Sequence, residues 1–150
     1  MKITDLLDRK AIFIPLETAD QSSCMHALAA GLEAAGAVTD RAAYIEALEK
    51  REQTGSTGIG FEVAIPHGKS AGVARPAIAF AKPSQPLDWQ SLDGQPVRAV
   101  IMIAVPEGAG NEHLQILIAI SRKLIDDQFR NALLGVESAD ELIALLDSIS

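Results

Sequence analysis

Residues 97–105 constrain this chain more than any other stretch. They run Val-Arg-Ala-Val-Ile-Met-Ile-Ala-Val, apolar or β-branched except for Arg98, and Pro106 closes them. The run is far too short to cross a bilayer. It shows neither helical spacing nor strict alternation, so it suits a central strand covered on both faces. The remaining sequence must then supply cover for two faces, and its periodicity does. Asp20 is placed to cap a helix reaching about Ala35, with Met25, Leu28, Ala29, Leu32 and Ala35 on one stripe and Gly36 as the stop. Thr39 is the predicted cap of a second helix, with Tyr44, Ile45 and Leu48 inward. Asn111 opens a long helix to about Leu124, whose expected core face is Leu114, Leu117, Ile118, Ile120 and Leu124. A further helix is expected over 126–134. Ser138, followed three residues later by Glu141, is a capping-box pattern for a last one. One helical turn is expected over 3–8. Other strands are expected at 12–14, ahead of Pro15, at 62–65 and at 77–81. The predicted fold class is α/β, a mixed central β-sheet flanked by helices on both faces, with residues 1–150 forming a single domain.

Charge narrows the function classes. The formal net charge is −7 and no basic run occurs. Nucleic acid and anionic membrane surfaces are therefore poor partners, and a basic protein face is a better one. Cys24 is the only cysteine, which excludes an internal disulfide and suits a reducing compartment, with the cytoplasm as the expected location. Residues 1–5 carry no long apolar secretory segment.

The chemistry concentrates at 51–70. Gly55, Gly58 and Gly60 open a loop in which the main chain can approach a ligand closely. The short apolar run 63–65 is expected to end at Pro66, placing His67 and Gly68 at the mouth of a strand, where open α/β sheets bind ligands. An imidazole that is partly neutral near pH 7 can attack phosphorus without a separate base. On local context alone, that role and a hydrogen-bonding histidine at a strand end weigh equally. His113, early in the long helix, and Arg51, ahead of the glycine loop, read by themselves as surface residues. No Walker loop is present, because Gly68-Lys69-Ser70 lacks the upstream glycine, and the glycine spacing is not a dinucleotide pattern. No His-Glu-x-x-His or paired-cysteine metal signature occurs.

Gly55-Ser56-Thr57-Gly58-Ile59-Gly60 followed by Ala64-Ile65-Pro66-His67-Gly68 resembles the active-site signature of the fructose/mannitol/nitrogen-regulatory (type 2) enzyme IIA family of the bacterial sugar phosphotransferase system. Residues 110–115, with His113, resemble the family's second histidine segment. Residues 1–7, 89–97 and 121–124 match the fructose-type branch better than the nitrogen-regulatory one. The resemblance implies that His67 becomes phosphorylated on Nε2, with His113 beside it and Arg51 as electrostatic stabiliser, while Ser56 and Thr57 add phosphoryl-binding donors. It implies a phosphotransferase with a phosphohistidine intermediate and no cofactor or metal. The donor would be the histidine-containing phosphocarrier protein HPr, and the acceptor a IIB domain of a sugar permease. The alternatives are a nitrogen-regulatory IIA protein that signals through its phosphohistidine and, more distantly, a phosphodiester hydrolase using His67 and His113. One position departs from the family pattern: Glu62 stands where a glycine is usual. A carboxylate facing the site would repel a phosphoryl group and raise the pKa of His67.

Overall fold

The computed structural model describes residues 2–149. A 3-10 turn at Ile3–Leu6 leads into β1 (Leu7–Leu16), and α1 (Gln21–Ala34) and α2 (Arg41–Gln53) follow. Three short strands come next, β2 (Gly58–Gly60), β3 (Val63–Ala64) and β4 (His67–Ser70). Then come β5 (Ala77–Pro83), β6 (Ala99–Pro106), α3 (Glu112–Leu124), α4 (Asp127–Leu134) and α5 (Ala139–Leu146). The strands form one sheet in the order β1-β5-β6-β3-β2, with β4 also paired to β6. β6 runs antiparallel to β5 and parallel to β3 and β4, so the sheet is mixed.

The long apolar run is the middle strand, buried from Ala99 through Val105. Its alternation divides the core. Val100, Met102 and Ala104 join the cluster under α1 and α2. Ala99, Ile101, Ile103 and Val105 join the cluster under α3, α4 and α5. Two apolar faces 180° apart on each residue pair leave no solvent-facing side, which is why no polar residue interrupts it. On the α1/α2 side the neighbouring strands present small residues, Ala77, Ala79, Ala81 and Ala64. Helices can therefore approach closely there.

Four local expectations change. The first strand is ten residues long and passes through Pro15, because β1 lies at a sheet edge, where a missing donor breaks no inner ladder. Asp40, not Thr39, caps α2: its carboxylate accepts from Ala43 N at 3.1 Å, while Thr39 Oγ1 donates to the Gly72 carbonyl. The strand does not end at Pro66. Val63 lies opposite Ala99 and His67 opposite Ile103, so β3 and β4 continue one register along β6 across a short interruption. Pro66 still accepts from Ile103 N at 3.0 Å, so losing its own donor interrupts the strand without ending it. Finally, α3 buries Ile116, Ile120 and Leu124, whereas Leu114 and Ile118 are 58% and 41% exposed. Apolar residues on two adjoining stripes of this helix cannot all face one sheet, and one stripe is left to solvent.

Candidate active site

His67 opens β4 and shares the side of the sheet that carries Val63 and Ile65, toward α3. It is only 9% exposed. Its Nδ1 lies 2.8 Å from the Ile65 carbonyl, which can only accept, so Nδ1 carries the proton. Its Nε2 accepts from Arg51 Nε at 3.2 Å, so that nitrogen keeps its lone pair. Two contacts thus specify one tautomer, with the bare nitrogen turned toward a guanidinium. Burial and the Arg51 charge hold the imidazole below its ordinary pKa, against the raising effects of the Ile65 carbonyl and the Glu52 carboxylate. The ring is neutral at pH 7.

Arg51 reaches the ring because α2 ends beside β4. Its Nη1 donates to Thr54 Oγ1 at 3.1 Å and to the Gly55 carbonyl at 2.8 Å, which fixes the guanidinium against the turn after the helix. Gly68 makes the approach possible. A Cβ there would meet Ala47 Cβ and Tyr44 Cε1 at 3.3 Å and Leu48 N at 3.4 Å, so α2 packs on bare backbone.

His113 enters from the first turn of α3. The two imidazole centroids are 5.0 Å apart at 60°, edge to face. Its Nε2 is buried without a hydrogen-bond partner among the described residues. Burial lowers its pKa first, and the fields of His67, Lys69 and Arg51 lower it further. A buried ring nitrogen with no protein partner, turned into the cleft beside His67, is free to bond a group bound there. Asn111 occupies the N-cap without a capping bond from its side chain, so its amide neighbours are left to other acceptors. The three residues border one cleft of about 460 Å3, together with Lys50, Lys69 and Glu107. No group of three or more potential metal ligands occurs among the described residues.

Ser56 and Thr57 are used differently from the expectation. Ser56 Oγ donates to the Trp89 carbonyl at 2.7 Å and accepts from Gly58 N at 3.0 Å. Thr57 is 2% exposed and its hydroxyl donates to Glu52 while accepting from Trp89 Nε1 at 3.0 Å. Both hydroxyls hold the glycine loop together, and neither residue borders the cleft. Glu62 also turns out to matter through its backbone. Phe61 and Glu62 form the β2–β3 turn with φ of 59° and 69°, and Glu62 Oε2 lies 3.2 Å from Arg98 Nη1. The carboxylate whose charge acts on the His67 imidazole is Glu52, which local sequence reasoning passed over. Its position directly after Arg51 and five residues before Thr57 was the available signal.

Comparison with known proteins identifies the family and agrees with the fold. Residues 5–149 match the family model for the phosphoenolpyruvate-dependent sugar phosphotransferase system, EIIA 2. The chain belongs to that family. One relative, the fructose-specific EIIABC component of Bacillus subtilis, is 43% identical over 98% of this chain, which spans only 23% of that longer protein. Another, the nitrogen regulatory protein of Bradyrhizobium diazoefficiens, is 36% identical and covers 97% of this chain and 95% of its own length. The crystal structure of nitrogen regulatory protein IIA-Ntr from Neisseria meningitidis superposes with a TM-score of 0.88 at 34% identity, over 96% of this chain and 98% of that one. As an EIIA type 2 domain the chain is a phosphoryl-transfer component, and the sheet with helices on both faces is the fold of its structural relatives.

Proposed function

We propose that this domain accepts a phosphoryl group on His67 Nε2 from HPr and passes it to a cysteine of a IIB domain, serving fructose-type sugar uptake from the cytoplasm. The observation that carries the reading is the bare Nε2, held in that tautomer by the Ile65 carbonyl and faced by Arg51. In the first step the Nε2 lone pair attacks phosphorus as the P–N bond to the donor histidine breaks, its electron pair returning to the donor ring. Nδ1–H keeps its bond to the Ile65 carbonyl and spreads the charge gained by the ring. Arg51 exchanges its contact with Nε2 for one with a phosphoryl oxygen, and His113 Nε2–H donates to another. In the second step a IIB thiolate attacks phosphorus in line and the P–N electrons return to Nε2. The protein's contribution is position and fixed charge.

The surroundings fit a docking protein. Phe61, Leu114 and Ile118 are exposed apolar residues, Leu114 directly after His113, and the overall charge of −7 favours a basic donor. No helix among the described residues is long and apolar enough to cross a membrane. The fructose assignment rests on the 43% identity to the B. subtilis protein. A second reading, a nitrogen-regulatory carrier, is supported by the 36% identity to the B. diazoefficiens protein and by the TM-score of 0.88 to IIA-Ntr of N. meningitidis.

The test uses enzyme I, HPr and labelled phosphoenolpyruvate. Wild type should gain one acid-labile phosphoryl group, His67→Gln none, and addition of a fructose-type IIB should remove the label. Labelling that survives His67→Gln overturns the assignment. Label that forms but never moves to IIB favours the regulatory reading.

A further inference from the structure

Glu52 sits outside the cleft, yet it touches the loop that the cleft depends on. Its carboxylate accepts from Thr57 N at 3.2 Å and from Thr57 Oγ1. Thr57 Oγ1 in turn accepts from the indole of buried Trp89 at 3.0 Å. A chain of hydrogen bonds therefore runs from the core, through Trp89 and Thr57, to the last turn of α2. Arg51 occupies the same turn and grips the other side of the loop at the Gly55 carbonyl. Adjacent residues on one helix end thus clasp the loop at two points, two residues apart, and one of them, Arg51, also contacts His67.

We propose that Glu52 is a positioning residue for phosphoryl transfer: its carboxylate fastens the glycine loop to the end of α2 and so fixes Arg51 against His67. This rests on the reading of His67 as phosphoryl acceptor. The carboxylate has a second effect, since its charge opposes the depression of the His67 pKa by burial and by Arg51. A half-buried anion near the ring keeps Nε2 basic enough to bond phosphorus while leaving it neutral at pH 7. Alanine at 52 removes both the clasp and the charge, whereas glutamine removes the charge and one of the two acceptor oxygens, keeping the other for Thr57. In the glutamine variant the single amide oxygen retains one of the two bonds to Thr57, so the clasp is weakened rather than lost.

The experiment combines ring NMR with transfer kinetics on Glu52→Ala, Glu52→Gln, Arg51→Ala and the Glu52→Ala/Arg51→Ala double variant. For Glu52→Ala the HPr-dependent labelling rate should fall about tenfold, the lower end of what outer partners of a reactive group contribute at metal sites. Glu52→Gln should recover part of that loss. In both, the His67 ring should titrate at lower pH than in wild type. The decisive arm is the double variant: if Glu52 acts chiefly through Arg51, removing it costs much less once Arg51 is gone than it does in wild type, leaving only the effect of its charge. Independent, multiplying losses would overturn the proposal, as would a Glu52→Ala protein that melts lower but titrates and transfers like wild type. Should wild type itself take no phosphoryl group, the functional reading fails, and with it this role in transfer. An unchanged ring titration beside a normally labelled wild type would instead count against Glu52 alone.

Discussion

Gly68 offers a sharp test of how the fold sets the chemistry. Alanine there places a Cβ 3.3 Å from Ala47 Cβ and from the Tyr44 ring, closer than the favourable carbon–carbon separation of roughly 3.5–4.0 Å. Either β4 or α2 must give by a few tenths of an ångström. β4 is held by its ladder to the central strand, and Tyr44 OH donates to the Ile103 carbonyl at 2.8 Å, so strain falls on the helix. The cost should be about 1 kcal/mol for alanine and about 3 kcal/mol for valine, the span usual for overpacked cores. The functional cost should be steeper. Arg51 Nε already lies 3.2 Å from His67 Nε2. A few tenths more carries that contact past about 3.5 Å, where it ceases to be a hydrogen bond. Gly68→Val should therefore lose roughly a hundredfold in labelling rate, as when one preorganised donor is removed. Urea melts with the denaturant slope monitored, and single-turnover labelling from phosphorylated HPr, measure the two effects. A valine variant within about 0.5 kcal/mol of wild type, labelling at the normal rate, would refute the close-packing argument.

Two other outcomes follow from the same geometry. At the β2–β3 turn, Glu62→Gly should stay within about 1 kcal/mol of wild type, since relief at φ of 69° offsets the lost half-exposed ion pair with Arg98. Glu62→Val should cost roughly 2 kcal/mol, because a branched side chain is poorly tolerated at positive φ, and equal stability of the two variants would contradict this account. The histidines predict the pH dependence. Both His67 and His113 have pKa values held below the ordinary 6.5, so below that pH the unfolded chain binds more protons than the folded one. Stability should be full above 6.5 and decline as pH falls through the folded values. Urea midpoints should show a smaller decline in His67→Gln, and an unchanged slope would argue against a buried neutral ring. Asp20 and Asp93, whose pKa values lie below 3.8, add their own losses only in more acid solution.

The main architecture was legible because strong patterns met no competitor. The apolar run at 99–105 had to be interior, and the stripe on α1, with Asp20 at one end and Gly36 at the other, left little choice of helix bounds. The glycine loop, Pro66 and His67 marked a candidate site through motif and through resemblance, and the fold brings Arg51 and His113 to it. Local sequence is silent on what lies across space. Asp40 displaced Thr39 as a cap because Thr39 found the Gly72 carbonyl, 33 residues away. Leu114 and Ile118 looked like core because hydrophobicity says nothing about which of two adjoining stripes meets the sheet. Ser56 and Thr57 looked like ligand donors until Trp89 and Glu52 claimed their hydroxyls.

What the chain's order of residues determined alone was a covered central strand, the helices that cover it, and a histidine beside glycines. Only tertiary packing decided which imidazole nitrogen is bare, since that depends on a carbonyl at Ile65 and a guanidinium brought from the end of α2. Periodicity and turn chemistry act over a few neighbouring residues and can be read in one dimension. Hydrogen bonds, desolvation and charge act between groups that the backbone brings together from far apart, and those are the forces that set the state of His67.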